Sequence, residues 1–222
     1  MEAGWRNVFK WPNAMTQTQR LNSRIQDFLS HFVRDKTVLD VGCVDHSASI
    51  EQEEHWLHKH LASSAKSILG LDILESDAVE LRQRGYEVTC GDAMTVSLNR
   101  TFDVVVAGEI VEHVDDPAAF VCNMARHLND QGRLVMTTPH VFFFLHFLES
   151  IFSSADRRWN PQHVAWYCPF TLGNLLHRNN LEVESCFYFT RSRKLRRLLK
   201  LTHLPCYGII ASSILVIARK RL

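Results

Sequence analysis

Asp40, Asp72, Asp92 and Glu109 share one circumstance: each stands at or near the end of a short apolar run, beside a residue that is small or turns the chain. The runs are TVLDVGC (37–43), SILGLDI (67–73), TCGDAM (89–94) and FDVVVAGEIVEH (102–113), and a fifth, GRLVMTTP (132–139), follows them. A strand that breaks into a tight turn presents backbone N–H groups at its end, which suits a nucleotide-like ligand, and an acid at the end of the next strand can accept both hydroxyls of a ribose. Asp72 is placed for that task; its bland alternative is to cap the helix that follows. A hydroxyl that must lose a proton needs a base of near-neutral pKa, which histidine provides. His113, closing the fourth run, and His163, in an aromatic-rich stretch further on, are the candidates, with His140 after TTP a weaker third. For any of these histidines the plain alternative is a structural hydrogen bond.

These side chains converge only if the runs are parallel strands of one open α/β sheet, because such sheets collect ligand contacts at the strands' carboxyl ends. The intervening segments fit. Leu21, Ile25, Phe28, Leu29 and Phe32 recur at helical spacing and predict an amphipathic helix over 16–33, with Trp5, Phe9 and Trp11 ahead of it completing an N-terminal cap of about 1–35. Trp56, Leu57 and Leu61 share a helical face, and residues 75–84 form a helix that Gly85 stops. Asp116 and Pro117 open another helix, the aspartate as cap and the proline at the first position. The alternation then lapses over about 140–170, where Phe142, Phe143, Phe144, His146, Phe147, Trp159, Trp166 and Tyr167 suggest a lid or acceptor wall. Thr171 caps a helix through Leu172, Leu175 and Leu176, a sixth strand spans 181–190, and 208–218 reads as the last strand. Between those two strands a basic insertion, about 191–203, contains RSRKLRRLLK, suited to an anionic membrane or a phosphate.

The 222 residues suit one domain with elaborations, 1–222. A formal net charge of +1 gives no global reason to expect a nucleic-acid partner. No apolar stretch has the roughly 20 residues of a transmembrane helix, the first residues lack the plan of a secretory signal, and the six cysteines show no CxxC spacing. A cytoplasmic protein with reduced thiols is the expectation. His55, His58 and His60 lack a carboxylate or cysteine at ligand spacing, so no metal is expected there.

The order of VLDVGC, LGLDI, GDAM and FDVVVAGEIVEHVDDP resembles the class I methyltransferases that use S-adenosylmethionine, especially the small-molecule branch of the quinone-biosynthesis enzymes. The resemblance covers 38 to about 183. It implies a Rossmann-like fold: a seven-stranded, mostly parallel sheet with an antiparallel last strand hairpinned to strand six, and helices on both faces. It also implies S-adenosylmethionine as cofactor, with Asp40, Gly42, Cys43 and Val44 at its methionine part, Asp72 and Ile73 at the ribose, Asp92 and Ala93 at adenine, and Glu109 with Ile110 along its inner side. His58 would reach the cofactor's carboxylate. The acceptor would be a small molecule or glycan, methylated at oxygen, anionic or lipid-linked if the basic insertion or Arg157 and Arg158 bear on it, with peripheral membrane contact through 191–200.

One departure stands out. Family members read GxGxG where this chain has Gly42-Cys43-Val44-Asp45-His46, and a β-branched residue tolerates positive φ poorly. The stretch from Gly42 to Asp72 is also about ten residues longer than the roughly 20 usual between a glycine turn and its acid, so the turn takes another path. The lost glycines keep a second hypothesis in play, a catalytically silent relative acting as a binding or scaffold module. A nicotinamide-dependent dehydrogenase fits less well, since GxGxxG is missing and GDAM and EIVEH would have no role in it.

Overall fold

The computed structural model describes residues 19–20, 25–44, 56–152, 160–190 and 207–221. The aromatic cap residues Trp5, Phe9 and Trp11, as well as His55, Arg157, Arg158, Trp159 and the basic insertion 191–203, lie outside the described residues. Eight strands form one sheet: β1 (Gln19–Arg20), β2 (Thr37–Val41), β3 (Ser67–Asp72), β4 (Val88–Cys90), β5 (Phe102–Gly108), β6 (Leu128–Pro139), β7 (Leu181–Phe189) and β8 (Ser213–Lys220). Their order is β1-β7-β8-β6-β5-β2-β3-β4. All neighbours are parallel except β8, which runs antiparallel between β6 and β7. The seven strands expected from the sequence are thus present with the expected last-strand reversal, and β1 adds a two-residue edge paired with Phe187 and Tyr188.

The central strands are apolar on both faces because helices cover both. Along β5, Val105 and Ala107 join a core with Phe120, Val121 and Met124 of α4 (Pro117–Arg126) and Leu172 and Leu176 of α6 (Pro169–Arg178). Val104 and Val106 point the other way, to Leu29 of α1 (Ile25–Phe32) and Leu61 of α2 (Leu57–Ala62). A third cluster places Ala78 and Leu81 of α3 (Glu75–Gln83) over Cys43, Val44 and Val88.

Helix ends follow local chemistry. Asp116 caps α4 by accepting from Ala118 and Ala119 N–H at 3.0 and 2.9 Å, with Pro117 at the first position as expected. The helix expected over 16–33 is shorter, because Gln19 and Arg20 satisfy their backbone in the sheet instead. The helix assigned to a Thr171 cap begins earlier, at Pro169: Cys168 holds the cap position and Thr171 Oγ1 reaches back to its N–H at 3.0 Å. The stretch 208–218, read as one strand, is divided between α7 (Tyr207–Ile210) and β8.

Successive strands run from β2 outward through β3 to β4, then the chain returns to lay β5 and β6 on the other side of β2. This reversal opens a crevice at the carboxyl ends of β2 and β5, where open α/β sheets take their ligands. At the opposite end Asp103 clamps the same two strands: its Oδ2 accepts from Thr37 N–H and Thr37 Oγ1, both at 2.8 Å, and its Oδ1 from Asn129 Nδ2 at 2.6 Å. The Thr37 backbone donor, with smaller help from the side chains, holds this carboxyl below the usual range. A depressed carboxylate contributes stability that is present at neutral pH and lost as pH falls through its folded pKa. Urea unfolding is therefore expected to show a smaller loss of stability on acidification for Asp103→Asn than for the unaltered protein.

Candidate cofactor and acceptor site

Three strand-end turns meet at the crevice. After β2, Gly42 turns with φ +76° and donates its N–H to Leu71 O at 2.8 Å. A Cβ here would stand 2.2 Å from Ile110 Cδ1, the end of a side chain that can turn aside, so it is the positive φ that calls for glycine. The turn after β5 carries Glu109, at φ +54°, its N–H donated to Thr137 O at 2.9 Å. Gly42 and Ile110 therefore face each other across the crevice.

The rebuilt first turn has a physical account. Val44, where the family has glycine, is fully buried beside Ala78, Leu81 and Val88, and its N–H donates to Asp72 Oδ2 at 2.9 Å. Trp56 Nε1 donates to Cys43 O at 2.7 Å from the other side. Packing and two hydrogen bonds fix a path that glycines would otherwise permit. The Cys43 side chain packs against Gly70, and burial, then the charges of Asp40 and Asp72, push its thiol far above the ordinary range. The Cys43 backbone is engaged as well, its N–H donated to Leu71 O at 3.5 Å and its carbonyl accepting from Trp56.

Asp72 ends β3, with Oδ1 accepting from Leu74 N–H at 3.1 Å as well as Oδ2 from Val44. A carboxylate has about four acceptor positions, so these backbone donors do not exhaust it, and capping does not exclude a bound polar group. Burial pushes its pKa up, and its backbone donors only partly offset that. Ile73 is exposed beside it. Asp92, beyond β4, accepts from Met94 N–H at 2.8 Å, and Ala93 O is held by Asn123 Nδ2 of α4 at 3.0 Å.

His58 lies elsewhere than on a surface. It is 1% exposed, Asp40 is 2% exposed, and His58 Nδ1 donates to Asp40 Oδ2 at 2.8 Å. Its Nε2 is buried and finds no hydrogen-bond partner among the described residues.

On the acceptor side the rings of His113 and His163 meet with centroids 4.7 Å apart. His113 Nδ1 lies 3.2 Å from Gln162 O. A carbonyl only accepts, so Nδ1 carries the hydrogen and Nε2 keeps a lone pair. Burial, and secondarily His113, push the pKa of His163 below its ordinary value. Trp166 stacks edgewise on both His163 and His146, at 5.2 and 5.1 Å, which ties α5 (Phe144–Phe152) to the site. His140 is buried and pushed down to about 4, chiefly by that burial, which leaves it neutral.

Sequence reasoning passed over Glu112. It is buried, its carbonyl accepts from Val164 and Ala165 N–H at 2.9 and 3.3 Å, and this stitches the turn after β5 to the loop bearing His163. Ligand atoms of Glu112, His113 and His163 all lie within 4.8 Å of one another, close enough to share one cation. The signal was the pairing of acid and histidine in EIVEH; the expectation about metals had been framed at His55, His58 and His60 instead. Asn123 carries no mark in the sequence either.

A buried acid ending β3, a glycine turn at the switch point, a third acid beyond β4 and a reversed last strand define an α/β domain of the class I methyltransferase type. The profile described as "Methyltransferase domain" matches residues 15–186, and the chain belongs to that family. It is similar to a "Ubiquinone biosynthesis O-methyltransferase" of Rickettsia canadensis, 23% identical over 159 residues that cover 68% of this chain and 64% of that protein. A "Probable S-adenosylmethionine-dependent methyltransferase" of Mycolicibacterium smegmatis is 27% identical over 160 residues, 70% of this chain and 56% of that one. The chain thus spans under two thirds of the length of these two relatives. Among solved structures, a SAM-dependent methyltransferase from Archaeoglobus fulgidus shares the fold at TM-score 0.62 and 16% identity, covering 90% of this chain and 92% of that one. The N-methyltransferase NodS of Bradyrhizobium japonicum WM9, in complex with S-adenosyl-L-homocysteine, does so at TM-score 0.57 and 18% identity, covering 88% and 83%.

Proposed function

We propose that this protein moves the methyl group of S-adenosylmethionine to a hydroxyl oxygen of a small-molecule or glycan acceptor. The observation that carries the reading is Asp72, buried at the end of β3 with acceptor capacity beyond its backbone donors, beside a glycine turn at the switch point. S-adenosylmethionine supplies an electrophilic methyl group on a sulfonium. Asp72 and Ile73 hold the ribose, Asp92 and Ala93 the adenine, the turn Gly42–Val44 with Asp40 and His58 the methionine end, and Glu109 with Ile110 the inner wall. Displacement needs the acceptor oxygen aligned and held, which is a matter of position more than of new bonds to the protein. His113, whose Nδ1 donates to Gln162 O, and His163, whose pKa burial lowers, take the hydroxyl proton.

The names of the ubiquinone-biosynthesis O-methyltransferases support an oxygen acceptor, and the basic sequence 191–200 supports an anionic or lipid-linked acceptor presented at a membrane. Calorimetry with S-adenosylmethionine tests the cofactor. Micromolar binding is expected, followed by methyl transfer to a catechol carrying an alkyl tail; a folded protein with no binding would favour the silent scaffold. A second reading of the acceptor side follows from the 4.8 Å grouping of Glu112, His113 and His163: the three hold a divalent cation that polarises the hydroxyl in place of a histidine base.

A further inference from the structure

Helix α5 is inside out. Its protein-facing side presents His146, which packs on Phe143 and Trp166 with centroids 5.3 and 5.1 Å away. Its outer side is apolar: Leu145, Phe147, Leu148, Ile151 and Phe152, together with Phe142 just ahead of the helix, are 38–82% exposed. At 100° per residue these five fall on one broad face away from His146. Scattered exposed leucines need no explanation, but six large apolar side chains within 11 residues form a contiguous surface of the sort that marks a docking site.

The fold says what lies beside it. Pro139 of β6 pairs with Ser213 of β8, which pairs with Phe189 of β7, so β6 and β7, parallel to each other, end on the same edge of the sheet. The chain passes from β6 towards α5 at that edge. It also leaves β7 there, and the next residues in sequence are RSRKLRRLLK, six of the ten basic. An apolar helical face with cationic chain issuing from the same edge is complementary to an anionic bilayer, whose headgroups take the charge and whose acyl boundary takes the side chains. A second copy of the chain meeting face to face would bring like charge against like charge.

We propose that α5, with Phe142, is an interfacial helix that seats the protein on anionic membranes. The inference deepens, and rests on, the lipid-linked acceptor of the proposed function, for α5 is joined to His163 by two successive ring contacts, His146 on Trp166 and Trp166 on His163. No described helix is long and apolar enough to cross a membrane, so the helix would lie on the surface.

The test is co-sedimentation of the full chain with phosphatidylglycerol-containing and pure phosphatidylcholine vesicles, alongside Phe147→Ser/Phe152→Ser and calorimetry with S-adenosylhomocysteine. The expected result is partition onto the anionic vesicles, weakened by salt and by roughly a hundredfold in the double variant, with cofactor affinity and thermal unfolding unchanged. Absence of vesicle binding, equal binding to neutral vesicles, or a double variant that sediments like the parent would each overturn the proposal. So would a concentration-dependent dimer that the double variant abolishes, since a second copy would then cover the face. A protein that binds S-adenosylhomocysteine but ignores vesicles loses this proposal and keeps the methyl-transfer reading; one that binds vesicles but no cofactor does the reverse.

Discussion

Replacing Asp72 with alanine is expected to weaken S-adenosylhomocysteine binding by at least a factor of about a hundred, because hydrogen bonds to a charged carboxylate contribute about 1.5–3 kcal/mol each and a ribose offers two. The substitution also strips acceptors from Val44 and Leu74 N–H, so thermal stability will fall with it. Asp72→Asn separates the effects: the amide keeps one carbonyl oxygen for the backbone while losing the charge. It should unfold nearer the parent temperature and still bind poorly. Acid makes the same point without mutation. Burial raises the pKa of the free carboxyl, and ribose hydroxyls bind the ionised form, so affinity should decline on acidification at a higher pH than an ordinary aspartate would give. Titration calorimetry across that range reads it directly. Unaltered affinity in a folded Asp72→Ala protein would remove the cofactor assignment.

The second large effect is expected on the acceptor side. Loss of a general base lowers turnover by about 10²–10⁴ while leaving cofactor binding intact. His113→Ala and His163→Ala are each expected to reduce kcat. The double variant should fall little further than the worse single one if one histidine is the base and the other orients it, as rings 4.7 Å apart permit. Repeating the assay after chelation decides between proton transfer and a cation held with Glu112. Parent activity that survives chelation leaves the histidine as base, whereas activity that collapses and returns with added divalent ion assigns the trio to metal. Two fully active single variants would leave neither histidine in the chemistry.

The strands could be read from the sequence because burial on both faces makes each an uninterrupted apolar run, and the acids proposed for the cofactor stand out because they close those runs. What escaped was whatever depends on partners distant in sequence. Val44 was recognised as a poor substitute for glycine, yet its compensation comes from Trp56 and from a hydrophobic seat under α3 that no local pattern announces. Glu112 looks like any acid in a turn until 160–166 folds over it. The 140–152 stretch read as an irregular aromatic lid because helical patterning assumes apolar residues face inward, and α5 turns them out. Residues 208–210 read as strand because a short apolar segment carries no period by which to tell one turn of helix from extended chain. His58, taken as a cofactor-edge residue, gave no hint in sequence of its bond to Asp40.

The peg formed by Val44 has a consequence for the timing of recognition. A glycine-rich turn enters the complex with its conformational freedom still to be surrendered, and that loss is subtracted from affinity. Here the turn from Gly42 to Val44 is ordered by folding itself, so the cofactor meets a rigid rim rather than one it must mould. Val44→Gly would then give a chain closer to its relatives by composition and yet a slower, more entropically opposed host.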